Sequence, residues 1–455
     1  MKKYDVIVIG SGAGASIVEH AVEKKLKVAF VDKGPAGGTC LNVGCIPSKM
    51  LTAVADRIIE IRESEKFGVK AEIKKINFEK IIKDMRNSFE PIHEEILKTL
   101  RNAKNFDFYE GVGEFTEDYI LKIGNEKIHG KKIFIASGAR PLIPKIKGIN
   151  KIDYLTNETI LELKKIPKSM VIIGGSYIAT EYAHFFSAIG TKVIILQRNK
   201  KLVPEEEPEV SELLKEEFEK RMKIYLGIEV IEVRKSGDSY VVIGKEKNKK
   251  NIIINTEEIL VAAGRESNAD LLKVENSGID VDEKDYIKVN EFFETSKKNI
   301  WAFGDAIGKA MFTHASRYEA EIAWNNAMHE EKTGFDFDKV PHAVFTYPAI
   351  ASVGLKEEDA KKKYNIVVGK ADYKDIAKGE ALRENGFAKA IINREDGRVL
   401  GFHIIGSFAP TLIQEVVNII ENNENINFIM RSMHIHPALS ELIQAAFGNL
   451  DLPKN

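Results

Sequence analysis

The stretch that decides the fold is the first one, MKKYDVIVIGSGAGASIVEHAVEKKLKVAFVD, residues 1–32. Residues 6–9 (VIVI) are a short apolar run of the length of one buried strand. Gly10-Ser11-Gly12-Ala13-Gly14-Ala15 follows, then residues 16–25 as a helix, then 28–31 as a second strand ending at Asp32. Strand, glycine turn, helix and a strand closed by an acid make the G-x-G-x-x-[G/A] fingerprint of a dinucleotide-binding βαβ unit. Gly10 allows the tight turn, and Gly12 lets the backbone approach a pyrophosphate. Ala15 keeps helix and strand close, and Asp32 can accept hydrogen bonds from ribose hydroxyls.

A second copy starts near Ser169. Residues 170–173 read as a strand, Gly174-Gly175-Ser176-Tyr177-Ile178-Ala179 as the turn, and the helix runs to Ile189. The following strand, 193–196, ends at Gln197-Arg198. Ser176 replaces the second glycine; its side chain crowds a pyrophosphate yet can also donate to one. Gln197 stands where a ribose-binding acid is expected, with Arg198, Lys200 and Lys201 behind it. Those cations either receive a 2′-phosphate or form a solvated loop. Two fingerprints call for two dinucleotides and two Rossmann-like halves in an α/β fold.

Between the copies lie a helical stretch, 47–104, and a small β-rich part ending in IFIASGARP, 133–141. Strand-like runs recur at 259–265 and 300–305. From Phe335 onward no nucleotide motif appears; the strand-like 386–406 and the helix 410–422 indicate an α+β C-terminal domain. Residues 245–250 read as a solvated lysine-rich hairpin tip. The expected domains are 1–145, 146–266, 267–334 and 335–455.

The 455 residues are 44% hydrophobic and 30% charged, a globular balance. Basic and acidic residues number 67 and 68, for a net charge of −1, which disfavours a broad nucleic-acid or anionic-lipid surface. The N-terminus reads as a strand and not a signal peptide, and no run of ~18 apolar residues is present. A cytoplasmic protein without membrane or nucleic-acid partners is the expectation.

The two cysteines, Cys40 and Cys45, sit in GGTCLNVGCIPSK, residues 37–49. Five residues of regular helix advance ~7.5 Å, whereas disulfide partners prefer Cα separations of ~4.4–6.8 Å. A bridge between them needs a distorted turn, which Gly38 and Gly44 permit. A strained, accessible disulfide is readily reduced, as a catalytic redox pair must be; the competing reading is two buried thiols. Thiol–disulfide exchange also needs a proton carrier. His184 lies in a helix, His129 and His403 near strands, and His93 on a surface helix. In HIHPALSE, 434–441, Pro437 suits the first turn of a helix, so His436 would project from its entrance with Glu441 five residues on. A carboxylate there can fix an imidazole tautomer; a simple capping histidine is the alternative.

These motifs, with IASGARP (135–141), GGSYIATE (174–181), AAGRESN (262–268) and AFGDA (302–306), resemble the group I pyridine-nucleotide disulfide oxidoreductases. That flavoprotein family includes dihydrolipoamide dehydrogenase, glutathione reductase, mycothione reductase and mercuric reductase. The resemblance covers essentially the whole chain. It implies a glutathione reductase-like fold, with an FAD-binding domain, an NAD(P)-binding domain, a central domain and a dimerisation domain. FAD would lie on Gly10, Gly12, Gly14, Ala15 and Asp32, with Gly38, Thr39, Gly113, Ser137, Gly138 and Asp305, and with Met311, Phe312, Thr313 and His314 along the flavin edge. NAD(P)H would lie on Gly174, Gly175, Ser176, Tyr177, Ile178, Gln197, Arg198, Val230 and Gly264, with Tyr177 covering the nicotinamide pocket. Cys45 would face the flavin and Cys40 would exchange with substrate. Lys49 would pair with Glu181 near flavin N5. His436 and Glu441 would come from the other subunit of a homodimer.

The resemblance also ranks substrates. With no cysteine after Cys45, mercuric reductase and thioredoxin reductases with a C-terminal redox pair are disfavoured. Glutathione reductase fits less well because an expected arginine in the first helix is His20. Dihydrolipoamide dehydrogenase leads, which would place the chain beside a 2-oxoacid dehydrogenase complex. Gln197, Ala438 and Ser176 depart from it, and SIVE (16–19) and HPAL (436–439) resemble mycothione reductase, the second expectation. A non-catalytic flavoprotein subunit is the remaining one.

Overall fold

The structure, a computed structural model, describes residues 1–89, 92, 98, 104–246 and 250–451. His93 and the centre of the 245–250 hairpin lie outside the described residues. The chain divides into two compact units. One contains Met1–Ser48, Glu79–Leu142 and Gly264–Phe337; the other contains Lys49–Phe78, Ile143–Ala263 and Asp338–Asn455.

The first unit is built on a seven-stranded sheet. Lys2–Ile9 lies between the parallel strands Val28–Asp32 and Glu126–Ile135, and Phe106–Glu110 extends the sheet beyond Val28–Asp32. Ile300–Ala302 adds in parallel to Glu126–Ile135. Val6, Val8, Phe30, Ile133 and Phe134 are fully buried, so these strands read as continuous apolar runs and do not alternate. The small β-rich part ending at 133–141 belongs to this sheet, with Phe106–Glu110 at one edge and residues 114–135 on the other side of Lys2–Ile9. Glu114–Glu117, Ile120–Ile123 and Glu126–Ile135 form an antiparallel meander whose last strand is the parallel neighbour of the first.

The second unit repeats the parallel pattern. Ser169–Ile173 lies between Lys192–Gln197 and Glu258–Val261, and Lys223–Leu226 extends the sheet. Both first strands end in a glycine with positive φ, Gly10 at +99° and Gly174 at +126°. A Cβ there would lie 2.1 Å from the Ala136 carbonyl oxygen or 2.0 Å from that of Ala262. Only glycine turns the chain so close to a neighbouring strand. Elsewhere in this unit, His342–Val344, Ile350–Gly354, Val399–Ile405, Phe387–Asn393 and Ile366–Asp372 form an antiparallel sheet in that order. Helices Ala409–Glu421 and Glu441–Gly448 share its apolar core through Ile413, Val416, Leu442 and Phe447.

The expected helical stretch 47–104 is interrupted. A helix covers Cys45–Arg62, a short 3₁₀ turn covers Ser64–Phe67, and residues 69–77 have no regular structure before the helix Phe78–Asn87. Gly68, at φ +79°, closes the turn by donating its N–H to Glu65. Among the described residues no helix is long and apolar enough to cross a membrane.

Candidate active site

In the first unit, Gly14 opens the helix Gly14–Glu23, with Ala15 in its first turn. Asp32 closes the second strand. Its Oδ2 accepts the Ser11 N–H at 2.5 Å and its Oδ1 the Gly34 N–H at 2.6 Å, which ties the acid to the glycine turn. A carboxylate has about four acceptor sites, so ribose hydroxyls can still be served. A Cβ on Gly12 would meet open space, whereas one on Gly38 would lie 2.8 Å from the Gly12 Cα. Gly113 precedes the strand Glu114–Glu117, and Ser137 and Gly138 follow the end of Glu126–Ile135. Among the described residues the buried Ser137 hydroxyl has no hydrogen-bond partner. Asp305 lies 3.2 Å from the Arg265 guanidinium, and burial pushes its carboxyl up against that pairing. A cradle open at Gly12, a tethered acid and an orphaned hydroxyl fit a dinucleotide such as FAD. Gly264 also belongs to this unit.

The cysteines are brought together by a break between helices. Gly38–Val43 carries Thr39 and Cys40, and Cys45 starts the 18-residue helix to Arg62. Between them, a Cβ on Gly44 would lie 2.8 Å from the Thr39 carbonyl oxygen. The break at Gly44 returns Cys45 to hydrogen-bonding range of Cys40. That hydrogen bond, then burial, pushes the Cys40 thiol up; Thr313 and the Arg317 charge oppose the shift. Cys45 Sγ lies 3.3 Å from Thr313 Oγ1. Cys45 and Thr313 both occupy first positions of helices, where the dipole favours negative sulfur. Phe312 and His314 stack at 5.7 Å just beside them. His20 pairs with Glu321 at 2.7 Å, so the place of the expected arginine is neutralised by an acid.

In the second unit, Lys49 Nζ donates to both Glu181 oxygens at 2.8 Å. The ammonium also lies 4.6 Å from the centre of the Phe345 ring, and the Phe345 N–H donates to Glu181 at 3.1 Å. Lys49 is one helical turn beyond Cys45. At the second glycine turn, the buried Gln197 side chain is 3.0 Å from where a Gly175 Cβ would be. Arg198, Lys200 and Lys201 are exposed. The Ser176 hydroxyl donates to Glu205 at 3.0 Å. Tyr177 and Ile178 begin the helix Tyr177–Ala188. Val230 packs in the apolar core.

A buried polar network behind this turn has no counterpart in the sequence reading. Glu206 Oε1 accepts from the Tyr177 hydroxyl at 3.1 Å and pairs with His342 at 2.7 Å; its Oε2 accepts from Ser352 at 2.6 Å. Burial works against the Glu206 charge, but His342 and Ser352 hold the carboxyl down at about 2. Next to it, the buried Lys389 ammonium lies 2.8 Å from Glu207, 2.9 Å from Glu209 and 2.5 Å from Glu357. Burial alone would lower the Lys389 pKa; the three carboxylates reverse that and raise it. Lys389→Met therefore strands an acidic cluster. It should lower the unfolding free energy by about 3–5 kcal/mol, read as a fall in the urea midpoint.

At the C-terminal end, the His436–Glu441 contact is present but the expected helix entrance is not. The helix begins at Glu441 and not at Pro437. Glu441 Oε2 accepts the Ala438 N–H at 3.0 Å, so a tight turn fills the interval. Glu441 Oε1 lies 2.9 Å from His436 Nδ1, and the imidazole is 71% exposed. Just before it in the chain, Met433 and Ile435 are exposed apolar side chains. Neighbouring His434 is buried against Glu415 at 3.1 Å.

Comparison with known proteins adds a family. A model described as "Pyridine nucleotide-disulphide oxidoreductase" matches residues 4–320, and its dimerisation-domain model matches 340–447. The chain is 33% identical to mycothione reductase of Mycobacterium tuberculosis, over 99% of this chain and all of that protein. It is 32% identical to dihydrolipoyl dehydrogenase of Geobacillus stearothermophilus, covering 97% and 95%. It is also 32% identical to mercuric reductase of Lysinibacillus sphaericus, covering 90% and 76%. Among solved structures, the HOCl-induced flavoprotein disulfide reductase RclA of Escherichia coli, as its Cu(II) complex, superposes with a TM-score of 0.88. It is 27% identical, with 98% and 99% of the two chains covered.

Proposed function

This chain belongs to the pyridine nucleotide-disulphide oxidoreductase family, and from that premise we propose that it reduces a low-molecular-weight disulfide with NAD(P)H through Cys40 and Cys45. The observation that carries the reading is the thiol pair joined across the Gly44 break, with Thr313 against Cys45. We assign FAD binding to 1–145, NAD(P) binding to 146–266, completion of the FAD site to 267–334 and dimerisation to 335–455. When bound, FAD would supply the redox chemistry that links hydride from NAD(P)H to the electron pair needed at the cysteines. Gly10, Gly12, Asp32, Ser137 and Asp305 would hold it.

The rest is the work of this chain's side chains. Two electrons and one proton open the Cys40–Cys45 disulfide into a Cys45 thiolate and a Cys40 thiol, and His436 takes the Cys40 proton to free that sulfur for attack. Cys40 attacks one sulfur of the substrate, forming a mixed disulfide and expelling one substrate thiolate, which takes a proton from His436. Cys45 then attacks Cys40, which re-forms the intramolecular disulfide and releases the second substrate thiolate. His436 is supplied by the second copy in a homodimer, and Glu441 holds its Nδ1. Lys49 and Glu181 form a fixed ion pair one turn from Cys45. Thiols kept ready for exchange suit a reducing, cytoplasmic compartment.

Lipoamide is the substrate favoured by CLNVGCIPSK and HIHP, and a mycothione-type disulfide by SIVE and HPAL. The relatives give lipoamide no advantage, and membership of a 2-oxoacid dehydrogenase complex goes with that substrate alone. Glutathione disulfide is disfavoured because Glu321 meets His20 where a carboxylate-binding cation is needed. At the second glycine turn, neutral Gln197 and exposed Arg198 favour NADPH at least as much as NADH.

A panel of lipoamide, glutathione disulfide and mycothione, each with NADH and NADPH, tests this reading. One FAD per chain and turnover of at least one disulfide are expected. Arg198→Ala should cut kcat/KM for NADPH about tenfold and leave NADH nearly unchanged. A folded protein that takes up no FAD, or one that reduces no disulfide, would overturn the reading; equal loss with both nucleotides would make the basic loop mere surface.

A further inference from the structure

The helix Thr313–Met328 brings to the thiol pair a charge that the mechanism has not used. Its first residue, Thr313, touches both sulfurs. Arg317 follows one turn later on the same face, is exposed, and acts on Cys40 through its charge. A surface arginine on a helix is commonly neutralised by a carboxylate four residues on. Here that carboxylate is Glu321, which is held by His20 at 2.7 Å. Among the described residues no carboxylate forms an ion pair with Arg317. Among the described residues the guanidinium therefore has no counter-charge, and it stands one turn along the helix whose first residue meets the sulfurs.

We propose that Arg317 selects a carboxylate-bearing disulfide, receiving an anionic group that lies within a few atoms of the scissile sulfur. The proposal rests on the disulfide-reductase reading above. A guanidinium offers a planar, bidentate fork to a carboxylate and stays charged at every working pH. At an exposed site, two opposite charges ~5 Å apart are worth about tenfold in affinity, and salt erodes this. Neutral lipoamide gains nothing from such a group.

The test uses the FAD-loaded enzyme and three disulfides of similar length: 3,3′-dithiodipropionate, its uncharged diamide, and cystamine. With native protein at low salt, kcat/KM should favour the dianion over the diamide about tenfold and should be lowest for cystamine. Raising the salt should shrink that ratio. Arg317→Gln should bring the dianion-to-diamide ratio close to one, Arg317→Lys should restore most of it, and Arg317→Glu should turn the preference towards cystamine. A native enzyme without preference for the dianion, or a ratio unmoved in Arg317→Gln, overturns the proposal while leaving the reductase reading intact. If none of the three is reduced while lipoamide, glutathione disulfide or mycothione is, the proposal alone falls; if NAD(P)H bleaches the flavin and no disulfide of either set is reduced, the reductase reading falls and the proposal with it.

Discussion

Cys40→Ser is expected to abolish disulfide reduction, by about 10⁴-fold or more, while NAD(P)H still reduces the flavin. A serine hydroxyl neither attacks a disulfide nor forms the mixed disulfide, so no proton transfer or positioning can compensate. The variant also separates the roles of the two sulfurs. Cys45, with its intramolecular partner gone, stays beside Thr313 at the start of an 18-residue helix, where a thiolate is favoured. If that thiolate faces the flavin, the oxidised Cys40→Ser enzyme should show a long-wavelength charge-transfer absorbance without any reductant. Cys45→Ser should lose turnover equally and show no such band. The reverse pattern would exchange the assignments of Cys40 and Cys45.

What could be read from the sequence was what local sterics enforce. Gly10 and Gly174 sit where a Cβ would strike the backbone of a neighbouring strand, so each glycine turn fixes its βαβ unit. Gly44 acts in the same way between the cysteines. The buried runs at 6–9 and 133–135 are apolar without alternation, as parallel strands covered on both faces must be. Element ends were less legible. Pro437 fits a first helical turn, but Glu441 uses its carboxylate on the Ala438 N–H, and the helix starts only there. The meander at 114–135 joins the first sheet through Glu126–Ile135, whose register with Lys2–Ile9 spans more than a hundred residues and leaves no local mark.

The charge network shows the same limit more sharply. Glu205, Glu206 and Glu207 are consecutive acids before Pro208, which in sequence looks like any solvated acidic turn. Their partners, His342, Ser352 and Lys389, stand 136–182 residues away. Only the fold decides that Glu206 and Glu207 are buried and paired while Glu205 remains exposed on Ser176. Arg317 lies between these cases. Its four-residue spacing from Thr313 is readable, but its lack of a counter-charge among the described residues depends on His20 having taken Glu321 from another part of the chain.

The second large effect is expected at His436. His436→Gln should slow disulfide turnover by ~10²–10⁴-fold, the range for losing a general acid–base. Glu441 Oε1 accepts from Nδ1 at 2.9 Å, so the carboxylate fixes the tautomer and turns Nε2 outward as the atom that exchanges protons. Hydrogen bonding from His436 and from the Ala438 N–H holds the Glu441 carboxyl below its usual range, which keeps it an acceptor. Glu441→Gln preserves the shape but can accept at one oxygen only, so a smaller loss is expected, about 10–10²-fold. Glutamine at 436 can hydrogen-bond to Glu441 but cannot carry a proton to a departing thiolate, so the defect belongs to the disulfide half-reaction. Rapid-mixing measurements separate the halves: flavin reduction by NAD(P)H should stay near the native rate while re-oxidation by the disulfide collapses. A loss shared equally by both halves would make His436 a structural residue of the turn at 436–441 and remove it from the chemistry.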